Sequence, residues 1–384
     1  MRLFGKGERA KAAVAVQTAP SKTAPFAAFD ERVSGAPASC ALYTAVREAV
    51  PLIDAAIYKL VRLTNGFKLE CDCPRSQSVL DAFAREVPVG GNQRGMEAFI
   101  ATYFEQLLTC GTAVGELVLG EDGRPCALWN APLRDIELRR SDSVRDVDIY
   151  VRQGVEAVKV PNRELIVLSV LNPEPGQLWG TSLLKGLPFL AGVLMNIFTA
   201  IGTNWERVGN VRFAVNYKPQ NDALDRAYAK DRAMQIAREW SDTMRADAVR
   251  DFVAVGDVQI KVIGADNPIL DSEVPVRQLL EQIVAKTGLP PFMLGLSWSS
   301  TERMSSQQAD VLTTELEAYR RILTPVIETV AALVLRSNGS DAKTRVVWDD
   351  ITLQDRVEIS RARYLDAQTD TLTRAREDKE RTDE

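Results

Sequence analysis

The chain has 384 residues, 46% hydrophobic and 26% charged, and its 47 basic and 52 acidic residues give a formal net charge of −5. This length can form two or three modules with cores of their own. The chain contains no histidine, which excludes Ser-His-Asp and Cys-His nucleophile arrangements and imidazole zinc sites. The lack of a basic excess argues against a dedicated DNA clamp, because neutralising phosphates drives non-specific binding.

The first part of the chain predicts an arm followed by helices. Residues 1–38 are rich in Ala, Lys, Ser, Thr and Pro and lack periodicity, which predicts a flexible N-terminal arm. Apolar residues recur at helical spacing over 41–63, and Pro51 is expected to bend or split this helix. A second helix is predicted over 93–108, with Phe99, Tyr103 and Leu107 on one side.

Between residues 113 and 170 the spacing of apolar residues changes from that of helices to that of strands. Glu121-Asp122-Gly123 is a hairpin signal between the first two of them. These runs predict an α+β module with an antiparallel sheet that ends near the turn at 173–176. The predicted strands are Ala113–Leu119, Cys126–Trp129, Asp135–Arg139, Val147–Val151 and Leu165–Val170.

A small α/β insert is predicted between two long helices, Pro188–Val208 and Val274–Thr287. The apolar run 187–201 is shorter than the about 20 residues that a bilayer-spanning helix needs, which favours a buried helix. Asn221 or Asp222 is expected to cap the helix of the insert. The predicted elements of the insert are the strand Val211–Tyr217, the helix Ala223–Arg245 and the strands Asp251–Val255 and Val258–Ile263.

The segment 271–335 is the most informative part of the chain. Gly288 is placed to end a helix, and Pro290 and Pro291 forbid its continuation. A short polar loop follows, then a long helix in which Pro325 predicts a kink. Two helices that flank a non-helical loop indicate a scaffold holding that loop in a fixed place. The chain is predicted to close with a strand at 345–348, a helix at 353–373 and a charged tail.

The cysteines predict reduced thiols in a cytosolic setting. Their number is odd, their spacing is scattered, and the opening residues do not resemble a secretory leader. Cys71 and Cys73 are too close in sequence for the usual spacing of a zinc knuckle, and the sequence offers no second pair of cysteines to complete such a site. The five are predicted to be small residues in or beside strands, and they are Cys40, Cys71, Cys73, Cys110 and Cys126.

Three sequence segments, in this order, resemble the portal proteins of tailed bacteriophages. They are residues 107–117 with 122–124 and 127–133, residues 173–184, and residues 283–295 with the step Leu323-Thr324-Pro325. Portal proteins form the ring at one capsid vertex through which DNA is pumped in and later leaves. The resemblance covers roughly residues 41–367.

The resemblance implies an α+β portal fold in named parts. These are a wing at 39–187, a stem helix at 188–209, a clip at 210–268 and a second stem helix at 269–288. A tunnel loop at 289–306 follows, then the kinked helix and a wing return strand at 307–352. Residues 353–384 would form only a short crown.

The resemblance also implies partners and a location. We expect a homo-oligomeric ring, usually of twelve copies, that contacts double-stranded DNA transiently and without sequence preference. Its other partners would be the large terminase, a head-tail adaptor, and the major capsid and scaffolding proteins, with no membrane contact and no cofactor. The ring would be assembled in the host bacterial cytoplasm, reside in the virion and perform no chemistry of its own.

The resemblance assigns three sets of site residues, each with a plainer alternative. The tunnel loop would touch DNA, or it is an ordinary exposed loop; it is predicted to include Trp298, Ser299, Ser300, Thr301, Glu302, Arg303 and Met304. Stem residues Asn204, Arg207 and Lys286 would face the channel, although cations near helix C-termini are also favoured by the helix dipole. Partner docking is assigned to the clip, or to ordinary surface turns, at Lys218, Gln220, Arg250 and Asp251.

Other functions remain as alternatives. Asp349 and Asp350, with Glu315 and Glu317, raise the hypothesis of a carboxylate-dependent metal enzyme, but the spacing offers no evident third ligand. A domesticated prophage or gene-transfer-agent version of the ring is a further alternative. The glycines at 111 and 180 precede hydroxyl residues but lack the lysine of a P-loop, so no nucleotide site is assigned.

Overall fold

The computed structural model describes residues 36–141, 143, 146–209, 212–218, 227–245, 257–263, 272–296 and 302–351. The chain divides into two compact units. The larger unit comprises Met1–Ala191 and Glu281–Glu384, and the smaller comprises Gly192–Leu280.

The larger unit begins with two helices, α1 (Ala36–Ala49) and α2 (Pro51–Thr64). Pro51 is the first residue of α2, where its missing N–H costs no hydrogen bond, so the predicted split is confirmed. Residues 36–38 belong to α1 and not to the predicted arm, whose other residues lie outside the described chain.

Helix α4 (Met96–Cys110) is the central helix of this unit, and α1 and α2 pack against it. Phe99, Tyr103 and Leu107 are fully buried, which confirms the predicted inner face. The helix begins later than predicted, because Gln93–Arg94 form a short strand.

A buried arginine joins these three helices. Arg47 of α1 lies 2.7 Å from Asp54 of α2 and 2.8 Å from Glu105 of α4, and it donates a 2.9 Å hydrogen bond to Thr109. Burial alone would lower the pKa of Arg47, but the two carboxylates outweigh this effect and raise it. The ion pairs therefore fix α1 in register on α4.

A five-stranded sheet packs on α4 in the strand order β3-β2-β5-β4-β9. The hairpin predicted at Glu121–Gly123 is confirmed, with Leu117 opposite Leu128. The sheet is antiparallel except for the β2–β5 pair, and β9 forms one edge. Its strands are β2 (Pro88–Val89), β3 (Gln93–Arg94), β4 (Thr112–Leu119), β5 (Pro125–Asn130) and β9 (Ile166–Val170).

A second sheet is a three-stranded meander of β6 (Ile136–Arg140), β7 (Val147–Gln153) and β8 (Glu156–Lys159). Its buried face joins β4 and the β5–β6 connection in one hydrophobic core. Strands β6 and β7 follow the predicted pattern, whereas β8 was not predicted. Because β8 has no buried residue, its sequence lacks the apolar alternation that marks a strand.

A two-stranded sheet joins distant parts of the chain. Strand β1 (Phe67–Cys71) pairs antiparallel with β12 (Thr344–Trp348), with Phe67 opposite Trp348. The prediction of a strand at 345–348 is confirmed, whereas β1 and the following helix α3 (Pro74–Glu86) were not predicted.

The smaller unit contains a β-ribbon and a helix. Strands β10 (Arg212–Lys218) and β11 (Asp257–Ile263) pair antiparallel, and helix α6 (Ala229–Arg245) packs on β10. Helices α5 (Leu187–Gly209) and α7 (Glu273–Thr287) cross the boundary between the units. The cap at Asn221 or Asp222 and the strand predicted at 251–255 lie outside the described residues.

Helix α8 (Glu302–Ser337) runs without a break through Pro325, so the kink stays a prediction. The loop predicted to extend to residue 306 was too long, since residues 302–306 are helical. This stretch contains no Gly or Pro, and Glu302 is favourable in a first turn because of the helix dipole. The predicted helix and tail beyond residue 351 lie outside the described chain.

The prediction of reduced thiols was wrong for one pair. Cys40 of α1 and Cys110 of α4 form a disulfide with 4.7 Å between their Cα atoms, across 70 residues of sequence. The packing of α1 on α4 brings them together, which spacing along the chain cannot reveal. Cys71 and Cys126 are free and lie in strands, as expected, and Cys73 is free just before α3.

Candidate functional site

The connection between α7 and α8, residues 288–296, is called the Pro-Pro junction here. Gly288 has φ +70° and donates a 3.1 Å hydrogen bond to the Val284 carbonyl, so it ends α7 as predicted. A Cβ at this position would lie 2.6 Å from Glu315 Oε2 of α8. Glycine is therefore needed both for the left-handed backbone and for the close approach to α8.

The junction continues as one turn of 3-10 helix, Pro291–Leu294. Met293 donates to the Pro290 carbonyl at 3.0 Å, and Leu296 donates to the Pro291 carbonyl at 3.1 Å. Leu289 and Pro290 are buried. The near end of the loop is thus held by backbone hydrogen bonds and by apolar packing.

The far end of the loop is held by α8. Arg320 on this helix is 8% exposed and donates to the carbonyls of Thr64, at 3.1 Å, and Asp349, at 2.7 Å. Its guanidinium carbon lies 5.0 Å from the centre of the Trp348 ring. Burial lowers the pKa of Arg320. These contacts fix the middle of α8 against α2 and β12.

The predicted loop residues fall into two groups. Trp298, Ser299, Ser300 and Thr301 lie outside the described residues. Glu302, Arg303 and Met304, predicted to lie in the loop, instead form the start of α8, where the Met304 side chain is 49% exposed.

The other predicted site residues are spread over several elements. Asn204 and Arg207 lie on α5, and Lys286 is exposed on α7. Lys218 is the last residue of β10. Gln220, Arg250 and Asp251 lie outside the described residues, so the docking assignment stays a prediction.

Three carboxylates of the metal-enzyme hypothesis, Glu317, Asp349 and Asp350, lie near the Arg320 guanidinium and act on its pKa in the direction opposite to burial. Glu315 faces Gly288, and the backbone of Asp349 is bonded to Gly66 and Arg320. In the part of the chain that the structure describes, no group of three or more Cys, Asp or Glu residues could hold a metal ion.

Two of the portal-like segments meet in space at a feature that sequence reasoning missed. The turn at Gly111 after α4 lies against the backbone at Gly180, where a Cβ on Gly111 would lie 2.6 Å from the Gly180 carbonyl oxygen. Leu171 donates a 2.8 Å hydrogen bond to the Gly111 carbonyl, and Thr181 donates to the Leu171 carbonyl at 2.7 Å. We call this contact the glycine clasp.

The hydroxyl residues beside these glycines complete the clasp. Gly180 donates to Thr112 Oγ1 at 3.0 Å, Ser182 Oγ donates to the Thr109 carbonyl at 2.6 Å, and Ser182 Oγ accepts from the Leu184 amide at 2.9 Å. Thr112 and Ser182 are buried. The repeated Gly-Thr pattern was the available signal, and it serves packing of the backbone, not phosphate binding.

Helix α5 exposes an apolar stripe. Leu187, Ala191 and Leu194 are buried, whereas Phe198 and Trp205, on the same side by helical periodicity, are 47% and 62% exposed. The expectation of a buried helix was therefore wrong. By length and composition alone, Leu187–Glu206 could cross a membrane, since its mean hydropathy is 1.4. Only 17% of this apolar stretch is buried within the protein.

Comparisons with solved structures identify the fold. The chain is 15% identical to a chain of the virion of a native gene transfer agent (GTA) particle, with TM-score 0.59 and coverage of 85% of this chain and 89% of that one. A chain from the neck of a native GTA particle computed with C12 symmetry is 17% identical, with TM-score 0.54 and coverage of 83% and 88%. The fold is therefore one found in GTA particles.

An HK97 family phage portal protein from Corynebacterium diphtheriae is a weaker likeness, 13% identical with TM-score 0.43 and coverage of 79% and 95%. No protein-family model and no curated protein matches the chain.

Proposed function

We propose that this protein is a portal subunit, which assembles as a ring at one vertex of a virion and conducts double-stranded DNA. The exposed apolar stripe of α5 is the observation that carries the proposal, because a single chain leaves it in water. The portal-like sequence segments and the fold shared with GTA-particle chains support the same function.

Neighbouring copies of the chain cover the stripe in this proposal. Burying a side chain such as Phe198 stabilises an assembly by about 1.5–3 kcal/mol, and this gain recurs at each interface of a ring. The C12 symmetry with which the neck of the native GTA particle was computed favours twelve copies. The part of α5 beyond the buried Leu194 and the helix α7 would be the two stem helices.

The loop at 297–301 would project toward the DNA from between the Pro-Pro junction and the start of α8. Its serines and Thr301 offer hydroxyl groups to phosphate oxygens, and Arg303 adds one cation per subunit near the start of α8. Hydrogen bonds of this kind form and break easily. The net charge of −5 limits non-specific retention of the duplex, so DNA slides instead of being clamped.

The remaining partners follow from the same role. Lys218, Gln220, Arg250 and Asp251 are our candidates for docking the large terminase and then a head-tail adaptor. The wing would contact the major capsid and scaffolding proteins, with assembly in the host bacterial cytoplasm. ATP-driven work would belong to the terminase. The likenesses to GTA chains favour a gene-transfer-agent particle as a second candidate for the location of the ring.

Substitutions in the loop test whether it contacts DNA in the channel. Replacing Ser299, Ser300 and Thr301 with glycine, together with Arg303→Ser, removes the proposed phosphate contacts. We expect an unchanged ring mass and at least a twofold change in the DNA retained per particle, measured by quantitative PCR of nuclease-treated particles.

The matched control is the turn between β7 and β8, where Val155 is fully exposed. A Val155→Gly change there should leave both ring mass and DNA content as in the wild type. Particles of the loop variant that hold a normal amount of DNA would show that the loop assignment is wrong.

A further inference from the structure

A groove of about 690 Å³ lies between the edge strand β9 and helix α8 within the larger unit. Residues 166–169 of β9 form one wall, and Pro325, Val326 and Thr329 of α8 form the other. Asp146, Arg163 and Glu164 also line it. Arg163 Nε lies 3.7 Å from Asp146 Oδ1, and Arg163 Nη1 donates a 2.7 Å hydrogen bond to the Ile166 carbonyl. The groove thus has apolar residues on both walls and one ion pair and one further carboxylate at its end.

The backbone of β9 has an open side. Leu171 donates to the Gly111 carbonyl, so every second residue from there, Ser169 and Val167, directs its backbone toward β4. Leu168 and Val170 direct theirs away from β4. Among the described residues, no hydrogen-bond partner occurs for the N–H or C=O groups of these two residues.

An open strand edge beside a groove is a template for one more strand. An added strand would supply acceptors and donors to Leu168 and Val170 and side chains to the groove. Side chains alternate along a strand, so a short apolar segment with β-branched residues at every second position would fit.

The N-terminal arm leaves the described structure close to this edge. Cys40, near the start of α1, is bonded to Cys110, and the next residue, Gly111, is hydrogen-bonded to Leu171 at the end of β9. The 35 residues that precede α1 could span on the order of 100 Å if extended. A five-residue strand needs only about 17 Å, so the arm reaches the groove easily.

One segment of the arm has the required pattern. In Ala12–Gln17, the sequence AAVAVQ, the β-branched Val14 and Val16 alternate with alanine. Arg9 and Lys11 precede the segment and complement the charge of Glu164, whereas Asp146 is already paired with Arg163. We infer that residues 12–17 of the arm add to β9 of the same copy as a sixth strand of the sheet.

Hydrogen exchange of the full chain tests this inference. We expect the Leu168 and Val170 amides to be protected in the wild type and to exchange at least tenfold faster in a Val14→Asp, Val16→Asp variant. A Thr18→Asp, Ser21→Asp variant, which adds the same charges outside the segment, should exchange like the wild type. A peptide of residues 9–17 added to the first variant should restore protection.

Three results would overturn the inference. Leu168 and Val170 amides that are unprotected in the wild type, or equally protected in the Val14 and Val16 variant, would mean that the arm does not cover β9. Protection lost on twentyfold dilution would assign the occupant to another copy of the chain. Amide exchange at Leu168 and Val170 does not depend on DNA or on ring formation. This inference can therefore fail while the proposed function stands.

Discussion

Replacing Gly180 with alanine is expected to lower the free energy of unfolding of the larger unit by about 4 kcal/mol or more. The new Cβ would overlap the Gly111 carbonyl oxygen and lie 2.7 Å from the Leu171 carbonyl oxygen. These atoms are backbone, and they cannot move apart without breaking the hydrogen bond from Leu171 to Gly111. Urea denaturation followed by circular dichroism measures the loss.

Gly192→Ala is the matched control, because a Cβ at this exposed position of α5 meets no atom within 4 Å. Alanine also has the higher helix propensity, so this variant should be as stable as the wild type or up to about 1 kcal/mol more stable. A Gly180 variant with the same unfolding midpoint as the control would contradict the clasp. Insoluble expression of Gly180→Ala beside a soluble Gly192→Ala would support it.

Placing a charge on the α5 stripe should prevent ring assembly. A Phe198→Asp, Trp205→Asp variant would bury unpaired carboxylates at every interface, at a cost of several kcal/mol each. We therefore expect the ring to be replaced by monomers at micromolar concentration, with unchanged helix content by circular dichroism. Light scattering after size-exclusion chromatography gives the mass.

Asn196→Asp provides the control for this variant. Asn196 is exposed on the opposite side of α5 from Phe198, so it adds a charge without entering the stripe. The control should assemble like the wild type. A stripe variant that still forms the ring, but no longer floats with lipid vesicles to which the wild type binds, would mean that the stripe contacts a membrane.

Much of the fold could be predicted from short stretches of sequence, because helix ends and inner faces depend on neighbouring residues alone. Pro51 and Gly288 mark helix ends through backbone geometry alone, and the spacing of Phe99, Tyr103 and Leu107 marks an inner face. The pairing of β1 with β12 joins residues 273 to 281 positions apart, and nothing in the sequence of Phe67–Cys71 indicates which strand it pairs with. The same limit hid the disulfide between Cys40 and Cys110.

The candidate site was predictable in part. The Pro-Pro sequence predicted where the loop begins. It did not predict the contacts of Arg320 with Thr64 and Asp349, which fix α8 through tertiary packing. The α5 stripe was misjudged because an apolar stripe looks the same in sequence whether it enters a core or an interface. Burial in the folded chain distinguishes the two.

The mass of the assembled protein shows whether the chain forms a ring. Light scattering of the purified full chain should give one species of twelve copies of 42.4 kDa, or about 510 kDa, and negative-stain images of it should show a central hole. A single species of one or two chains at the same concentration, with no ring in the images, would contradict the account.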